Sequence, residues 1–371
     1  MIGNRISYRV RLSKNMNKIY YITYLSENIS DGGMARNKAF SDKMIFFEKK
    51  RLNMYLYKNS IFQRTCKSLS FFAFFLFRRN RTIFFHQFAF PLLFPLLTNR
   101  ICHYYYKRAI HFIAKRNKVI IEVNDLPHEQ AIDLELPVSK SMLEFENFIF
   151  SLPNCRYIFA STEMSKFVCE KYKIHNDFSH VTINGGPKLQ LCPSVIFNQK
   201  WIESKKIKYV YAGSLNKGRQ IEALIDVFRK NSDNLLILIG IWGEWLSSAN
   251  LPSNIIFLGE FEEAIAHYIV SLCDVGLIPY DEERFYYNLC YPTKASFYIT
   301  AGIPFLSTPL SELQNVFAKS GMSYFVPFNK WNDFFKDFDK LSLVDVKRKI
   351  DIEKHKFYWD PLIGKYFDIL N

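Results

Sequence analysis

The first third of the sequence contains very few acidic residues. Residues 1–120 hold 23 Lys and Arg but only 4 Asp and Glu, a formal charge of +19, whereas the remaining 251 residues hold 26 and 31, a charge of −5. A positive field of this kind attracts nucleic acids, anionic lipid headgroups or phosphorylated substrates. A basic surface with no dedicated partner is the alternative, and charge alone does not decide between these interpretations.

Motifs that identify several common protein classes are also missing. The sequence has no zinc-finger spacing, no RNP-like string and no basic region leading into heptads, which disfavours a nucleic-acid partner. It has neither G-x-G-x-x-G nor G-x-x-x-x-G-K-[ST], which disfavours dinucleotide dehydrogenases and P-loop enzymes. The seven cysteines form no C-x-x-C pair, so we expect reduced thiols in a cytosolic protein. We expect no metal, and we interpret the D-x-D triplet Asp337–Asp339 as a solvated face.

Long apolar runs are absent as well. The run "LSFFAFFLF" has nine residues, and "IFFHQFAFPLLFPLL" is interrupted by His86, Gln87 and two prolines. Neither reaches the roughly 20 residues that a membrane span needs. The opening segment "MIGNRISYRVRLSKN" lacks the apolar core of a signal peptide. Met16 begins a more regular segment, so we expect residues 1–15 to be a disordered extension or to precede the true start.

What the sequence does contain predicts two α/β domains. Its 371 residues exceed the length at which one core stops growing. β-rich runs alternate with helical patterns over residues 16–190 and again over 191–345, which is typical of parallel sheets. The Gly- and Pro-containing stretch 184–200 is predicted to be a linker. Residues 346–371 are predicted to form helices that pack back on the body. The predicted strands are "KIYYITYL", "LNMYLY", "TIFFHQF", "KVIIEVN", "RYIFAS", "HVTIN", "KIKYVYAGS", "NLLILIG", "NIIFLGEF", "DVGLIPYD", "IPFLST" and "MSYFVPF".

One short helix, Thr293–Ala301, is predicted by the residues that flank it. Pro292 suits the first helical position, Gly302 suits the residue just past the end, and Pro304 prevents continuation. Lys294 places a full positive charge in the first turn, where the helix dipole disfavours a cation. An anion is therefore the natural partner of this helix.

A second candidate anion-binding segment is the loop in "YAGSLNKGRQIEAL", between the first strand of the second domain and its helix. Gly213 and Ser214 allow a close approach of the backbone to an oxyanion. Lys217 and Arg219 could neutralise a diphosphate at the start of the helix. The alternative is a polar loop whose charges are incidental.

Together, these segments resemble the donor-binding half of GT-B fold glycosyltransferases of the family 4 kind. That half has a strand ending in D-x-G-x-x-P, followed by P-x-K, E-Y and A-x-G-x-P, and the resemblance covers about 110 residues, Tyr211–Phe325. It implies the GT-B architecture, with two Rossmann-like domains facing a cleft and a C-terminal helical tail. In that family the helix N-terminus and nearby basic residues hold the nucleotide diphosphate of an activated sugar.

Two positions depart from the family pattern. Phe297 stands where a glutamate usually precedes the tyrosine, and Leu289 stands where the paired glutamate would lie. A smaller group, which includes bacterial galactofuranosyl- and glucosyltransferase-like enzymes, has P-x-K-x-S-x-Y with an apolar residue at that place, and this sequence fits it. The donor-binding residues that the resemblance implies are Gly213, Ser214, Lys217, Arg219, Pro292, Lys294, Ser296 and Tyr298.

In the first domain the candidate residues follow strand ends. Asp31, Gly32 and Gly33 resemble the glycine loop that faces acceptor and donor in these folds, the alternative being a plain turn with an Asp cap. Asp125 resembles the cleft aspartate of the family, which would deprotonate the acceptor hydroxyl, and a capping role is its alternative. Glu129 and Asp31 are the next candidates for this base.

We interpret His86 and His128 as structural residues. The resemblance implies a glycosyltransferase that moves a sugar from a nucleotide diphosphate sugar, with UDP-sugar favoured, to a hydroxyl of a bacterial surface glycan such as O-antigen or capsule, without any further cofactor. The basic first domain favours a polyprenyl-linked acceptor and a cytoplasmic, peripheral location on the inner membrane face. A GT-B nucleotide-sugar epimerase and a non-catalytic partner subunit are the alternatives.

Overall fold

The computed structural model of the protein divides into two compact units. The first is Met1–Ile183 with Ile363–Asn371, and the second is Asn184–Leu362. The division falls a few residues before the predicted boundary at 190/191. The described residues are 19–26, 32–192, 200–216 and 220–370. Residues 1–15, Asp31, Lys217 and Arg219 therefore lie outside the described part of the chain.

The first unit is built on a six-stranded parallel sheet with the strand order β2-β1-β3-β4-β5-β6. Strands β1, β3 and β4 are almost entirely buried, as expected for a parallel sheet covered on both faces. The strands are β1 (Ile19–Thr23), β2 (Glu48–Asn53), β3 (Thr82–His86), β4 (Lys118–Val123), β5 (Cys155–Phe159) and β6 (Ser179–Val181). The helices are α1 (Gly32–Met44), α2 (Ile61–Leu76), α3 (Phe90–Leu93), α4 (Arg100–Ala114), α5 (Pro127–Asp133), α6 (Lys140–Phe150) and α7 (Thr162–Tyr172).

Strand β2 differs from the sequence prediction. "LNMYLY" was predicted as the strand, but the strand is the more polar "EKKRLN", and Met54–Tyr57 forms a 3-10 turn. The Asn53 side chain caps this turn by accepting a hydrogen bond from the Tyr55 backbone N–H at 3.2 Å. Strand β2 lies at the sheet edge, where charged side chains are common because one side of the strand faces solvent. A search for apolar residues therefore finds the segment that follows the strand and misses the strand itself.

The second unit contains another six-stranded parallel sheet, in the order β12-β11-β10-β7-β8-β9. This is the doubly wound Rossmann order, with β7 as the first strand and β10 on its other side. The strands are β7 (Ile207–Ala212), β8 (Asn234–Ile239), β9 (Ile255–Gly259), β10 (Val275–Ile278), β11 (Phe305–Ser307) and β12 (Ser323–Phe325). The helices are α8 (Ile221–Arg229), α9 (Glu244–Ser247), α10 (Glu263–Ser271), α11 (Phe285–Leu289), α12 (Thr293–Ala301), α13 (Ser311–Phe317), α14 (Trp331–Asp337) and α15 (Ser342–Glu353). They are followed by α16 (Trp359–Leu370), whose residues from Ile363 onward belong to the first unit.

Helix α12 has the predicted bounds. Gly302 ends it with a left-handed φ of 90°, a conformation that glycine adopts without strain. Pro292 is the N-cap residue rather than the first helical residue, because its φ and ψ are extended and its carbonyl accepts the Ala295 N–H at 3.0 Å. The local signals therefore define this helix almost completely.

The C-terminal helices pack onto the body. Leu343 of α15 belongs to the apolar core of the second unit. Tyr366 of α16 lies 6.2 Å from Phe40 of α1, measured between ring centroids. The predicted α/β class, with two Rossmann-like units and C-terminal helices, is confirmed. Within the described residues, every helix is too short or too polar to cross a bilayer.

Candidate functional site

The candidate donor site lies where the strand order of the second sheet reverses, between β7 and β10. Ligands of doubly wound sheets bind beyond the carboxyl ends of the strands at this place, because the neighbouring loops turn to opposite faces and leave a crevice. Strands β7 and β10 pair only through Tyr209 with Val275 and Val210 with Gly276. Gly213 and Ser214 follow β7 directly, and Lys294, Ser296 and Tyr298 lie on α12, which comes after β10 along the chain.

Two glycines allow the backbone to pack closely at this crevice. Gly213 has a φ of 148°, and a Cβ added there would lie 2.5 Å from Cε of Lys294. Gly240, after β8, has a φ of 144°, and a Cβ added there would lie 1.8 Å from the carbonyl oxygen of Gly213. A side chain at either position would clash and strain the backbone. The loop after β7 is thus held between Lys294 and the loop after β8.

The side chain of Lys294 reaches from α12 to these strand ends. Its ammonium donates a hydrogen bond to the Tyr280 hydroxyl at 3.0 Å. It also lies 5.1 Å from the ring centroid of Tyr211 and 5.3 Å from that of Tyr280, a distance at which a cation is attracted to an aromatic face. Tyr280 in turn stacks on Tyr287, with centroids 4.6 Å apart. These contacts hold a positive charge beside Gly213.

Tyr298 joins the two strands at the point where they diverge. Its hydroxyl accepts a hydrogen bond from the Ala212 N–H at 3.0 Å and donates one to the Leu277 carbonyl at 3.1 Å. Its ring lies directly over Gly276, where an added Cβ would be 2.3 Å from ring atoms. Burial raises the pKa of Tyr298 well above its usual range, so the hydroxyl keeps its proton. The glycine of D-x-G-x-x-P thus makes room for the tyrosine of P-x-K-x-S-x-Y.

Ser296, like Tyr298, is buried inside the second unit and forms hydrogen bonds there. Its hydroxyl donates to the Asn184 carbonyl at 2.6 Å and lies 2.7 Å from the Tyr291 hydroxyl. The Asn184 side chain donates to the Tyr291 carbonyl at 2.9 Å. Ser296 and Tyr298 are completely buried, so the contacts that the structure gives them position α12. Direct binding of a donor by these two residues stays a prediction.

The structure brings Gly213 and Lys294 together at one edge of the sheet, with Ser214 next to Gly213 and Pro292 at the N-cap of α12. The Ser214 carbonyl accepts a hydrogen bond from the Tyr211 hydroxyl at 3.0 Å. Sequence reasoning missed Gly240, Tyr211 and Tyr280. Each of them lies at or just beyond the end of a predicted strand, so a search of all strand ends in this domain would have found them.

The first unit has a pocket at the corresponding place of its own sheet, where the order reverses between β1 and β3. The pocket has a volume of about 510 Å³. Its described lining residues are Tyr24, Gly33, Met34, Lys58, His86, Phe88, Pro91, Leu92 and Asp125. It therefore combines a carboxylate, an ammonium group and an apolar wall. Of the residues predicted for this domain, it brings Gly33 and Asp125 together, with Gly32 beside Gly33.

The Gln87 side chain fixes the backbone that carries Asp125. Its carbonyl oxygen accepts the N–H groups of Asn124 at 2.6 Å and Asp125 at 3.2 Å, and its amide donates to the Asp125 carbonyl at 2.7 Å. The Asn124 amide donates to the Asp125 carboxylate at 3.2 Å. The N-cap of the following helix, α5, is Leu126, so Asp125 does not occupy the N-cap position. Asp125 lines the pocket instead.

Buried charges lie next to this pocket. His86 and Glu122 face each other across β3 and β4, with Nε2 of His86 3.3 Å from Oε2 of Glu122. Glu122 also forms an ion pair with Arg36 of α1, and both side chains are inaccessible to solvent. Arg36 donates to the Thr182 carbonyl at 2.7 Å. His86 thus lines the pocket and lies against the buried ion pair of Arg36 and Glu122.

Glu129 lies apart from the pocket lining that the structure describes. It forms an ion pair with Lys171 of α7 and lies 3.3 Å from Nδ1 of His128. Glu146 is next to them, and the ligating atoms of His128, Glu129 and Glu146 lie within 4.8 Å of one another. Burial raises the pKa of Glu146, and the Lys171 ammonium supplies a positive charge to the group. The catalytic role of Glu129 stays a prediction.

No protein-family model matches the chain, and a comparison with curated proteins finds no match. Solved structures, by contrast, share its architecture. HepE of Anabaena in complex with UDP has a TM-score of 0.64 at 13% identity, over 95% of this chain and 99% of that one. Sucrose-phosphate synthase of Thermosynechococcus elongatus has a TM-score of 0.67 at 10% identity, with the same coverage. WaaG, a glycosyltransferase involved in lipopolysaccharide biosynthesis, has a TM-score of 0.55 at 11% identity, again with the same coverage.

These similarities show the fold. The chain has the GT-B architecture, as the resemblance of its donor-binding motifs implied. At 10 to 13% identity they do not extend to a donor, an acceptor or a subfamily. The family 4 likeness and the likeness to galactofuranosyl- and glucosyltransferases stay predictions.

Proposed function

We propose that the protein is a glycosyltransferase that uses a nucleotide diphosphate sugar, with UDP-sugar favoured. The observation that carries this proposal is the contact of Lys294 with Gly213 at the switch point of the second sheet. Structures of the similar protein HepE with UDP and with UDP-glucose support it. The donor phosphates would lie against the backbone at Gly213, with the Lys294 ammonium as counter-charge. Lys217 and Arg219 are proposed as further phosphate contacts.

Replacing Lys294 tests this donor site. We expect Lys294→Ala to weaken UDP binding about ten- to a hundredfold, because a charge-assisted contact contributes roughly 1.5 to 3 kcal/mol. Uridine, which has no phosphate, should bind both proteins equally. Calorimetry with the full chain measures both ligands. Lys330→Ala, which removes an exposed lysine from the same unit, is the control and should leave UDP binding unchanged. Equal UDP affinity of wild type and Lys294→Ala would place the donor site elsewhere.

The pocket of the first unit is the proposed acceptor site, with Asp125 as general base. In the proposed step, the Asp125 carboxylate takes the proton of the acceptor hydroxyl while the hydroxyl oxygen forms a bond to the anomeric carbon. The bond between that carbon and the diphosphate breaks, and its electron pair leaves with the nucleotide. A positive charge at Lys294 stabilises the negative charge that develops on the leaving group.

Transfer differs from the two alternatives in its need for an acceptor. Incubation with the nucleotide sugar alone should give neither an isomerised nucleotide sugar nor rapid release of nucleotide. Addition of a lipid-linked glycan acceptor should start both nucleotide release and product formation. An isomerised nucleotide sugar without acceptor would support an epimerase. Nucleotide binding without any turnover would support a non-catalytic partner subunit.

We further propose that the acceptor is a lipid-linked glycan of a bacterial surface, such as O-antigen or capsule, reached from the inner membrane face. Helices α2 and α4 pack together through Phe72 and Tyr106, whose rings stack 5.8 Å apart. On and beside these helices, large apolar side chains are exposed next to many basic ones. The exposed apolar residues include Ile61, Phe62, Leu69, Phe77, Ile101 and Tyr105. This combination of apolar and basic groups suits an anionic lipid surface. The role of WaaG in lipopolysaccharide biosynthesis is consistent with it.

Binding to lipid vesicles tests the proposed membrane face. Association with anionic vesicles should fall steeply with added salt, because each basic residue near the surface contributes roughly 1 kcal/mol that salt screens. Phe62→Ser and Phe77→Ser should weaken binding, since these side chains are 76% and 86% exposed. Val344→Ser, which changes an exposed apolar residue of the second unit, is the control. Equal binding to neutral vesicles would contradict the proposal.

A further inference from the structure

Trp242 has a backbone conformation that a large side chain rarely adopts. Its φ is 60°, in the left-handed region that favours glycine or asparagine. Its side chain is 52% exposed, so burial of the indole does not account for a tryptophan here. Bulky residues in strained conformations persist where the surrounding structure enforces them, and they cluster at ligand-binding sites.

The surrounding structure does enforce this conformation. Leu215 N–H donates to the Ile241 carbonyl at 2.9 Å, and the Trp245 indole N–H donates to the Leu215 carbonyl at 2.7 Å. On the other side of Trp242, a Cβ added to Gly243 would lie 2.8 Å from Leu215 and from the Phe257 ring. The loop after β8 is thus fixed against the loop after β7. Relaxation of Trp242 would disturb these contacts.

The position of Trp242 relates it to the candidate donor site. It follows Gly240 by two residues, a separation of at most about 7 Å along the chain. Gly240 packs on Gly213, and Gly213 packs on Lys294. An exposed indole and an ammonium group therefore lie at the same carboxyl edge of one sheet, linked by two contacting glycines. A nucleoside diphosphate carries the matching groups, a flat aromatic base and an anionic diphosphate.

We propose that the indole of Trp242 is the stacking platform for the base of the bound nucleotide. This inference rests on the proposed function, since it assigns the base to the same site in which Lys294 meets the phosphates. Every nucleobase has a π face, and stacking on an aromatic side chain tolerates different bases. Trp242 would therefore provide affinity for the nucleoside part of the donor without selecting the base.

Calorimetry with UDP and with inorganic pyrophosphate, on the full chain, tests the platform. Trp242→Ala should weaken UDP binding about 5- to 150-fold, the factor that corresponds to the roughly 1 to 3 kcal/mol of one stacked base. Pyrophosphate has no base, so its affinity should not change. Trp242→Phe keeps an aromatic face and should restore most of the UDP affinity.

Thermal unfolding of Trp242→Gly without ligand separates a binding role from a structural one. Glycine accepts a φ of 60° without strain, so this variant should unfold at a higher temperature than wild type while it binds UDP more weakly. If the wild type binds UDP and Trp242→Ala binds it with the same affinity, the stacking role of Trp242 is overturned and the proposed function stays intact. A wild type that binds none of UDP, GDP and dTDP would overturn both.

Discussion

The two units bury their ionic groups at opposite ends of similar sheets. In the first unit, Glu122 pairs with Arg36 close to the carboxyl ends of the strands, beside the pocket. In the second unit, Asp274 precedes β10 and lies 3.8 Å from Nζ of Lys208, near the start of β7. Its ionic group thus lies at the amino ends, away from the switch-point crevice. The carboxyl edge there is formed by close backbone contacts and by Lys294.

The difference indicates what each edge is suited to bind. An edge with closely packed glycines and a lysine allows a ligand to approach the backbone closely and offers it a positive charge, which suits a diphosphate. An edge with a carboxylate at its wall can instead take a proton from a neutral hydroxyl. The two kinds of edge fit the donor and acceptor roles that we propose for the two units. Substitutions of buried groups in one unit at a time show what these groups contribute to the stability of that unit.

The largest effect is expected from Glu122→Gln. This variant leaves the Arg36 guanidinium buried without its counter-charge, which costs about 3 to 5 kcal/mol of unfolding free energy. Urea denaturation measures the loss, and hydrogen exchange of the amides in β4 and β8 shows which unit becomes less stable. We expect the loss in the first unit, because both partners lie there.

The control for Glu122 is Asp42→Asn on α1. Asp42 pairs with Lys38 at 3.0 Å, but both side chains are about half exposed. Exposed pairs of this kind contribute little, so the change should stay within about 0.5 kcal/mol. If both variants lost the same small amount, the buried ion pair would not stabilise the first unit.

The second effect concerns the close backbone packing of the second unit. Gly240→Ala should destabilise the unit by about 3 kcal/mol, because the added methyl would overlap the Gly213 carbonyl and the φ is unfavourable. Gly259 has a φ of 89° but open space around it, so Gly259→Ala should cost only about 1 kcal/mol. Thermal unfolding measures the series. Equal losses at both positions would mean that the contact itself is unimportant.

Gly364 lies in the part of α16 that belongs to the first unit, and its replacement by alanine should change stability in the opposite direction. It has open space around it, and no positive φ is found there among the described residues. In a helix, alanine is favoured over glycine by about 0.5 to 1 kcal/mol. Gly364→Ala should therefore stabilise the protein slightly. A loss at this position would mean that the helix packs more tightly than the structure indicates.

The sequence predicts the elements whose signals are local. Helix α12 is bounded by Pro292 and Gly302, whose fixed or permissive φ values act regardless of tertiary structure, and its bounds were predicted. Buried strands such as β8 are recognisable because both faces are apolar. The edge strand β2 was predicted a few residues too late, because its charged residues do not look like those of a buried strand.

The candidate site was predictable only in part, because its geometry depends on distant pairs. Gly213 and Lys294 were found from strand ends and helix signals, but their contact with Gly240 and Tyr280 requires the strand order. Ser296 and Tyr298 match a motif, yet the motif does not tell whether a side chain faces a ligand or the interior. Asp125 was found at a strand end, whereas the support of its backbone by Gln87 depends on the pairing of β3 with β4.

The third prediction addresses the carboxylate of the first unit. Asp125→Asn should leave UDP binding unchanged but lower turnover with a nucleotide sugar and a lipid-linked acceptor by about a hundredfold or more, if its carboxylate is the general base. Asp133→Asn changes another carboxylate, at the end of α5, and is the control. Unchanged turnover in Asp125→Asn would remove Asp125 from the mechanism. Glu129 and Asp31 would then be the next candidates for the base.

A further prediction concerns Tyr298→Phe, which removes one hydroxyl from the switch point of the second sheet. The Ala212 N–H loses its acceptor and the Leu277 carbonyl its donor, so we expect a loss of about 1 to 2 kcal/mol. Tyr209→Phe is the matched control, because Tyr209 is equally buried but its hydroxyl has no hydrogen-bond partner among the described residues. That change should be neutral or slightly stabilising.

If Tyr298→Phe also weakens UDP binding a few-fold while Tyr209→Phe does not, the hydroxyl positions the loop at Gly213. Equal behaviour of the two variants would mean that β7 and β10 keep their places without this bridge.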